Sequence, residues 1–486
     1  NTRIHASFET RLKSEDVSFH TSFKYRFLMR LAMLILLGTP IIPSLVAGVT
    51  LTENRLSDSP ANPLASFDHE IQAFMRARKV PGGALAVTKH GRLVYARGYG
   101  WADREKQVPV RPNSLFRIAS ISKPITAIAI LKLFESNQID LDAPAFDALK
   151  LTPFLEPGRV EDSRLKKISI RQLLHHSGGW DRDKSFDPMF RSKRIAETLG
   201  IPGPPHANAI VRYMLGQPLD FEPGTRYAYS NFGYCVLGRF IETVSGQSYE
   251  MFVKEAVLQP LGIKNMRLGA SLPEGSAQGE VHYYTPNNAT GPSVFPGVAK
   301  KVPLPYGTFC LEAMDAHGGW LASAVDLARL TAVLDETGHE PLLKAETRQI
   351  LLNRPAVPLW RTEDGQLQDY YYACGWLVRP NGKNGRPNYW HNGSLPGTYS
   401  LLVYRGDGLS WAVLFNQRSN DPKLPDNAID PALHRAADAV THWPDIDLFP
   451  QFGMKPERIE SEGRGNGHSS FQQPKEGLGF HDSIQN

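Results

Sequence analysis

Apolar positions along this chain follow two rhythms, one helical and one alternating. Near the start, "FDHEIQAFMRARKV" spaces Phe67, Ile71, Phe74 and Met75 three or four residues apart, as one face of a helix requires. Immediately after it, "GGALAVTKHGRLVYARGYGWAD" holds two β-branched or aromatic runs about His90-Gly91, which predicts a hairpin. Toward the other end, "YWHNGSLPGTYSLLVYRGDGLSWAVLFNQ" predicts strands on both sides of "RGDG". Between these regions, from about 120 to 350, helical spacing dominates, as in "GYCVLGRFIETVSG", "YEMFVKEAVLQPLG" and "AVDLARLTAVLDETG". A helix-rich middle between strand-rich ends predicts an α+β protein: an antiparallel sheet formed by both chain ends, flanked by helices, with an all-helical region.

The pattern also sets expected boundaries. Residues 51–66 are a polar linker, and the stretch after about 450 loses apolar periodicity, so the chain reads as a leader over 1–50, a linker over 51–66, one body over 67–450 and a disordered tail over 451–486. Within the leader, "KYRFLMRLAMLILLGTPIIPSLVAG" sets Lys24, Arg26 and Arg30 ahead of an apolar run and then small residues, the order of an export signal. The alternative is a membrane anchor through residues 27–49, which Pro40 and Pro43 disfavour. An exported location, periplasmic or extracellular, follows from either. Met29-Arg30 is a conventional signal start, so residues 1–28 read as an over-extended frame.

Composition narrows the partners. With 486 residues, 41% of them hydrophobic, the chain can bury a large core. A formal charge of +5, scattered rather than massed, argues against nucleic acid. Cys235, Cys310 and Cys374 lie far apart with no C-x-x-C, which suggests neither a zinc cluster nor a disulfide framework. His175, His176 and His391 carry no metal-binding spacing, so no metal is expected.

Chemistry concentrates in three stretches. In "ASISKPITAIAILKLF", Pro124 is tolerated only in a first turn, so a helix begins near Ser120 and sets Ser120 and Lys123 one turn apart on one face. A partly desolvated lysine can lose its proton and activate such a hydroxyl. Ser163 and Lys166 repeat the spacing in a charged setting without an apolar helix, which reads as a solvated loop. In "EPGTRYAYSNFGYCVLG", Tyr229 and Asn231 fall on a loop leading into a helix, where they can shuttle a proton and orient a lysine or a substrate amide; the plain alternative is aromatic packing on the core. In "WHNGSLPGTYS", His391, Asn392 and Gly393 lie on a predicted strand, where glycine permits close backbone approach and the Ser394 N–H can face a substrate oxygen; the plain alternative is a bulge.

Together these stretches resemble the serine β-lactamase and penicillin-binding-protein superfamily, and within it the class C β-lactamase, D-alanyl-D-alanine carboxypeptidase and esterase branch. "LFRIASISKPITA", "IDLDAP", "ISIRQLLHHSGG", "LQPLGIKNM", "HGGWLASAVDLARL" and "YYACGWLV" also look like family landmarks, in family order. The resemblance implies a cleft between sheet and helices, an acyl-enzyme on Ser120, Lys123 as its activator, Tyr229 as general base and then acid, and Asn231 positioning Lys123 and the substrate. It further implies an oxyanion hole from the N–H groups of Ser120 and Ser394, with His391 and Gly393 shaping the substrate strand. No cofactor is implied, the partner is a small-molecule or peptide substrate, and no obligate protein partner is readable. His176 matches a landmark as a structural hydrogen-bonding residue. "WDRDKSFDPMF", residues 180–190, is expected to cover the cleft. His391 stands where penicillin-binding members usually carry lysine, which shifts the expectation from carboxylate-bearing β-lactams toward esters, amides and D-amino-acid peptides. The alternative function is a slowly acylated sensor of penicillins or cell-wall peptides.

Overall fold

A computed structural model describes residues 63–335, 341–355 and 368–456. Helix α1 (Ala65–Arg78) buries Phe67, Ile71, Phe74 and Met75, the face its spacing predicts. The hairpin β1 (Gly82–Lys89) and β2 (Arg92–Asp103) turns at His90-Gly91, both in left-handed backbone, and leads to the short β3 (Val108–Pro109). Helix α2 (Ser122–Glu135) and helix α3 (Asn231–Ser245) belong to the helical middle, with α4 (Ala324–Leu330) following. The chain then returns to the sheet as β4 (Tyr371–Tyr372), β5 (Leu377–Arg379), β6 (Asn388–Leu395), β7 (Thr398–Tyr404) and β8 (Leu409–Phe415), and α5 (Ile429–Asp438) closes the body.

Among the described residues, the main sheet has eight strands in the order β3-β2-β1-β8-β7-β6-β5-β4. Its centre is the antiparallel pairing of β1 with β8, in register from Gly83 opposite Phe415 to Lys89 opposite Leu409. Both chain ends therefore close one sheet, as the strand-rich ends predict. Alternation along the central strands makes two cores. Leu85, Val87, Leu401, Val403, Val413 and Phe415 face α1 and α5, with Phe74 stacked on Phe415 at 4.9 Å between ring centroids. Ala84, Ala86 and Ala412 face the other way, and their small side chains let α4 pack closely on β1 and β8.

Helix α2 is buried on nearly every side, from Ser122 through Leu131. A helix apolar all round belongs at the centre of a domain, so the sequence stripe of Ile125, Ile128 and Leu131 understates its burial. Other boundaries also shift. Leu64 is buried and α1 starts at Ala65, two residues inside the expected linker. A turn over Phe449–Phe452 and the buried Met454 extend the ordered body past 450. Ser163 and Lys166 lie on a 3-10 turn, Ser163–Lys167, rather than a loop, because the Asp162 carboxylate accepts from the Arg164 N–H and caps it. The expected leader and the tail beyond 456 lie outside the described residues. Within the described residues no helix is long and apolar enough to cross a membrane.

Candidate active site

Ser120 sits in a 3-10 turn, Ala119–Ile121, that runs into α2. Ala119 before it has φ +47°, a left-handed conformation uncommon outside glycine. Such a conformation persists only where neighbours over-determine it. Here they do. The Ile118 carbonyl accepts from the Ser400 hydroxyl at 2.8 Å, and the Arg117 carbonyl from the Thr398 hydroxyl at 2.8 Å. The Ile118 N–H donates to the Trp320 carbonyl at 3.0 Å, and the buried Arg117 guanidinium donates to the Pro305 and Ala270 carbonyls.

Strand β6 lies against this turn because residue 393 has no side chain. A Cβ there would stand 2.0 Å from the Ile118 carbonyl oxygen. Gly393 thus holds β6 beside the serine, and Ser120, Asn392 and Ser394 line one cleft of about 810 Å³. On its other side β5 covers β6 only from Asn388 to Trp390, so residues 391–395 continue past the end of that pairing.

Lys123 is fully buried and its ammonium nitrogen has three neighbours: Ser120 Oγ at 3.1 Å, Asn231 Oδ1 at 2.8 Å and the His317 carbonyl at 3.0 Å. Burial drives its pKa well below the ordinary lysine value; the Asp187 carboxylate opposes this and the Arg182 guanidinium adds to it. The two carbonyl oxygens can only accept. When Lys123 loses one proton, its two remaining N–H bonds are taken by them, and the lone pair is left facing Ser120.

Tyr229 is half-buried in the same place, on the cleft wall: Lys123 Nζ lies 4.7 Å and Arg182 Cζ 4.8 Å from its ring centroid. Burial raises its pKa above the ordinary phenol value, against a hydrogen bond with Ser120 that lowers it. Asn231 is the first residue of α3, not part of the preceding loop as the sequence suggests, because Ser230 caps that helix by accepting from the Gly233 N–H at 3.1 Å. His176 has the expected structural role. Its Nδ1 accepts from the Ser230 N–H at 3.2 Å, and its ring lies 4.4 Å from that of Tyr229.

His391 is buried in β6 and does not act as a cation. Its Nδ1 lies 2.7 Å from the Asn392 carbonyl, which accepts its proton, so Nε2 carries the lone pair and accepts from the Tyr372 hydroxyl at 3.2 Å. Burial, with the Lys123 charge adding to it, lowers its pKa to about 3. Among the described residues no group of three or more His, Cys, Asp or Glu side chains is arranged to hold a metal.

Several residues of the site escape a reading of the sequence. Arg182 and Asp187 come from the 180–190 segment, whose cover of the cleft is expected but whose contacts are not: Arg182 lines the cleft, and Asp187 Oδ2 accepts from Asn231 Nδ2 at 2.6 Å. Arg418, just after β8, donates to Ser394 Oγ at 3.0 Å. Tyr227, Tyr370, Tyr372, Trp390 and Tyr399 form aromatic walls. No local motif signals these residues, since they reach the cleft from several elements far apart in the sequence.

Comparison with known proteins bears on the family and the fold. A beta-lactamase family model matches residues 67–435. Esterase EstB of Burkholderia gladioli is 27% identical over 378 residues, 68% of this chain and 91% of that protein. The octameric penicillin-binding protein homologue from Pyrococcus abyssi superposes with a TM-score of 0.55 at 26% identity, covering 76% of this chain and 77% of that one. The D-amino acid amidase from Ochrobactrum anthropi SV3 shares the fold, with a TM-score of 0.57 at 21% identity, over 77% of this chain and 98% of that one.

Proposed function

The chain belongs to the β-lactamase family and is a serine hydrolase, and from that premise we propose that it cleaves an ester or amide bond of a small molecule or short peptide through an acyl-enzyme on Ser120. The observation that carries this reading is the Lys123 environment, in which two obligate acceptors leave a deprotonated amine aimed at Ser120 Oγ. Ser120 Oγ attacks the substrate carbonyl carbon while its proton passes to Lys123 Nζ. As the tetrahedral state collapses, the bond to the leaving group breaks and that group takes a proton, with the Tyr229 hydroxyl as donor, replenished from Lys123. Water then attacks the acyl carbon, returns Ser120 its proton and releases the acid. Of the two roles expected of Tyr229, the acid is the one its surroundings support at rest, since burial keeps it a phenol. The N–H groups of Ser120 and Ser394, both on the cleft, are the proposed oxyanion donors.

The substrate class rests on the walls. The cleft has room for a drug-sized molecule, its sides carry aromatic side chains with Arg182 and Arg379 among them, and the neutral His391 supplies no charge at the third motif. The name of EstB supports the ester half of this reading and that of the amidase neighbour the amide half. The proposal includes an exported location, supported by the basic and then apolar run at residues 24–48 alone.

Intact-mass measurement after treatment with a fluorophosphonate tests the assignment. One adduct on the wild type and none on Ser120→Ala is expected, together with loss of p-nitrophenyl ester hydrolysis by about 10⁴-fold or more; an adduct that survives Ser120→Ala refutes it. A Tyr229 held as a phenol is a poor base for the deacylating water, and a penicillin adduct that persists without turnover would favour the sensor function.

A further inference from the structure

We propose that Asp187 is a positioning residue that fixes the Asn231 amide with its oxygen toward Lys123, and so makes Lys123 a base directed at Ser120. This rests on the reading of Lys123 as the activator of Ser120. The Asp187 carboxylate is fully engaged: one oxygen accepts from the Met189 N–H at 3.1 Å and caps the turn Pro188–Phe190, and the other accepts from Asn231 Nδ2 at 2.6 Å. An ionised carboxylate has no hydrogen to give, so only the NH₂ end of Asn231 can face it. The carbonyl end must then face Lys123, where it lies 2.8 Å from Nζ.

The opposite amide orientation would invert the function of the lysine. With Asn231 turned over, an N–H would point at Lys123 and take the amine's lone pair. A lysine N–H, not a lone pair, would then be left for Ser120, and the serine proton would have no acceptor. Nothing else about the lysine need change for this to happen. The Asp187→Asn substitution forces the inversion: if the oxygen of the introduced amide keeps the Met189 cap, its NH₂ faces Asn231, which rotates to accept with Oδ1.

Asp187 also contributes charge. The groups whose charge reaches Lys123 are Asp187 and Arg182 from the covering segment, of opposite sign, with His176 and His391 held neutral by burial. His317 presents its carbonyl, and Tyr229 and Tyr234 present their ring faces. Removing the carboxylate leaves Arg182 unopposed, which favours the neutral amine and moves the acid limb of the rate profile to lower pH.

The test is steady-state kinetics of the full chain on a p-nitrophenyl ester across pH. Asp187→Asn is expected to lower kcat by about 10²-fold with KM within about twofold, and to move the acid limb to lower pH. Asp187→Ser keeps a capping oxygen for Met189 and is expected to lose kcat in the same way, which separates amide orientation from loss of the turn. Asp183→Asn, an exposed acid on the same segment, is expected to match the wild type. Wild-type kcat in Asp187→Asn, a rise in KM alone, or a fall in kcat with the acid limb unmoved overturns the inference. Ser120→Ala is assayed alongside: if it remains active, the reading of Ser120 fails; if it is inactive while Asp187→Asn is unimpaired, only the role of Asp187 fails.

Discussion

Replacing Gly393 by alanine probes the close approach of β6 to the turn that carries Ser120. The added Cβ would meet the Ile118 carbonyl oxygen at 2.0 Å and Ser400 Oγ at 2.4 Å, where ordinary contact begins at 3.4 Å. The serine hydroxyl can rotate away at the expense of its hydrogen bond to Ile118. The carbonyl cannot, since the Ile118 N–H is tied to Trp320 and the Arg117 carbonyl to Thr398. The strain therefore separates β6 from the Ser120 turn by roughly 1 Å, enough to cost about 10²-fold in rate, or about 2.7 kcal/mol of transition-state stabilisation. Overpacking adds about 1–3 kcal/mol of destabilisation, and the lost hydrogen bond about 1 kcal/mol. The assay is kcat on a p-nitrophenyl ester beside urea unfolding, with Ser400→Ala as a control that loses the hydrogen bond without inserting a methyl. Gly393→Ala is expected to lose activity at urea concentrations far below its unfolding transition, and Ser400→Ala to keep most of it. A Gly393→Ala protein with kcat within about threefold of wild type would refute the claim that this contact sets catalytic geometry.

Two further outcomes follow from buried charge. His175 and His391 have pKa values lowered to about 4 and about 3, and those of His176 and His317 are driven well below the ordinary value, in each case first by burial. In the unfolded chain they titrate near 6.5, so unfolding below that pH takes up protons that the native state refuses; their neutral burial costs nothing above about pH 7 and destabilises as pH falls from 6.5 toward 4. At pH 5 His175 and His391 each contribute about 2 kcal/mol of destabilisation, and His176 and His317 act in the same direction, against a typical margin of about 5–15 kcal/mol. A steep fall in Tm between pH 7 and pH 5 is expected in thermal melts by circular dichroism, and a flat Tm would contradict it. Separately, Arg239 donates to Asp315 at 2.5 Å and pairs with Glu242 at 2.7 Å, with 6% of its side chain exposed. Arg239→Ala leaves Asp315 buried without its cation and is expected to cost about 3–5 kcal/mol in urea unfolding; a cost under about 1 kcal/mol would show that water reaches the pair.

How far the sequence reaches depends on whether a feature is local. The hairpin at His90-Gly91, the face of α1 and the strands around "RGDG" are set by spacing and turn chemistry within a few residues, and all three are present. The pairing of β1 with β8 joins residues more than three hundred positions apart, and only the clustering of strand signals at both ends hints at it. Ser120 and Lys123 are legible because one helical turn brings them together. Asp187 is not, because its partner Asn231 is 44 residues away and the contact depends on two segments meeting over the cleft. A main-chain acceptor such as the His317 carbonyl has no signature at all, since every residue has one.

One physical cause arranges the opposite proton affinities that the proposed reaction needs. Withdrawal from water disfavours whichever form of a group is charged. For Lys123 that form is the ammonium, so burial yields an amine able to take a proton; for Tyr229 it is the phenolate, so the same burial yields a phenol able to give one. No separate device is required for each. The neutral third element fits this scheme. A lysine at 391 would set an ammonium near Lys123, whereas the imidazole, with its Nδ1 proton on Asn392 and its Nε2 on Tyr372, fills the position without charge. The consequence falls on recognition: the third element offers no cation to a substrate carboxylate, so attraction by charge is left to Arg182 and Arg379 on the cleft walls, beside the contact area of the aromatic side chains.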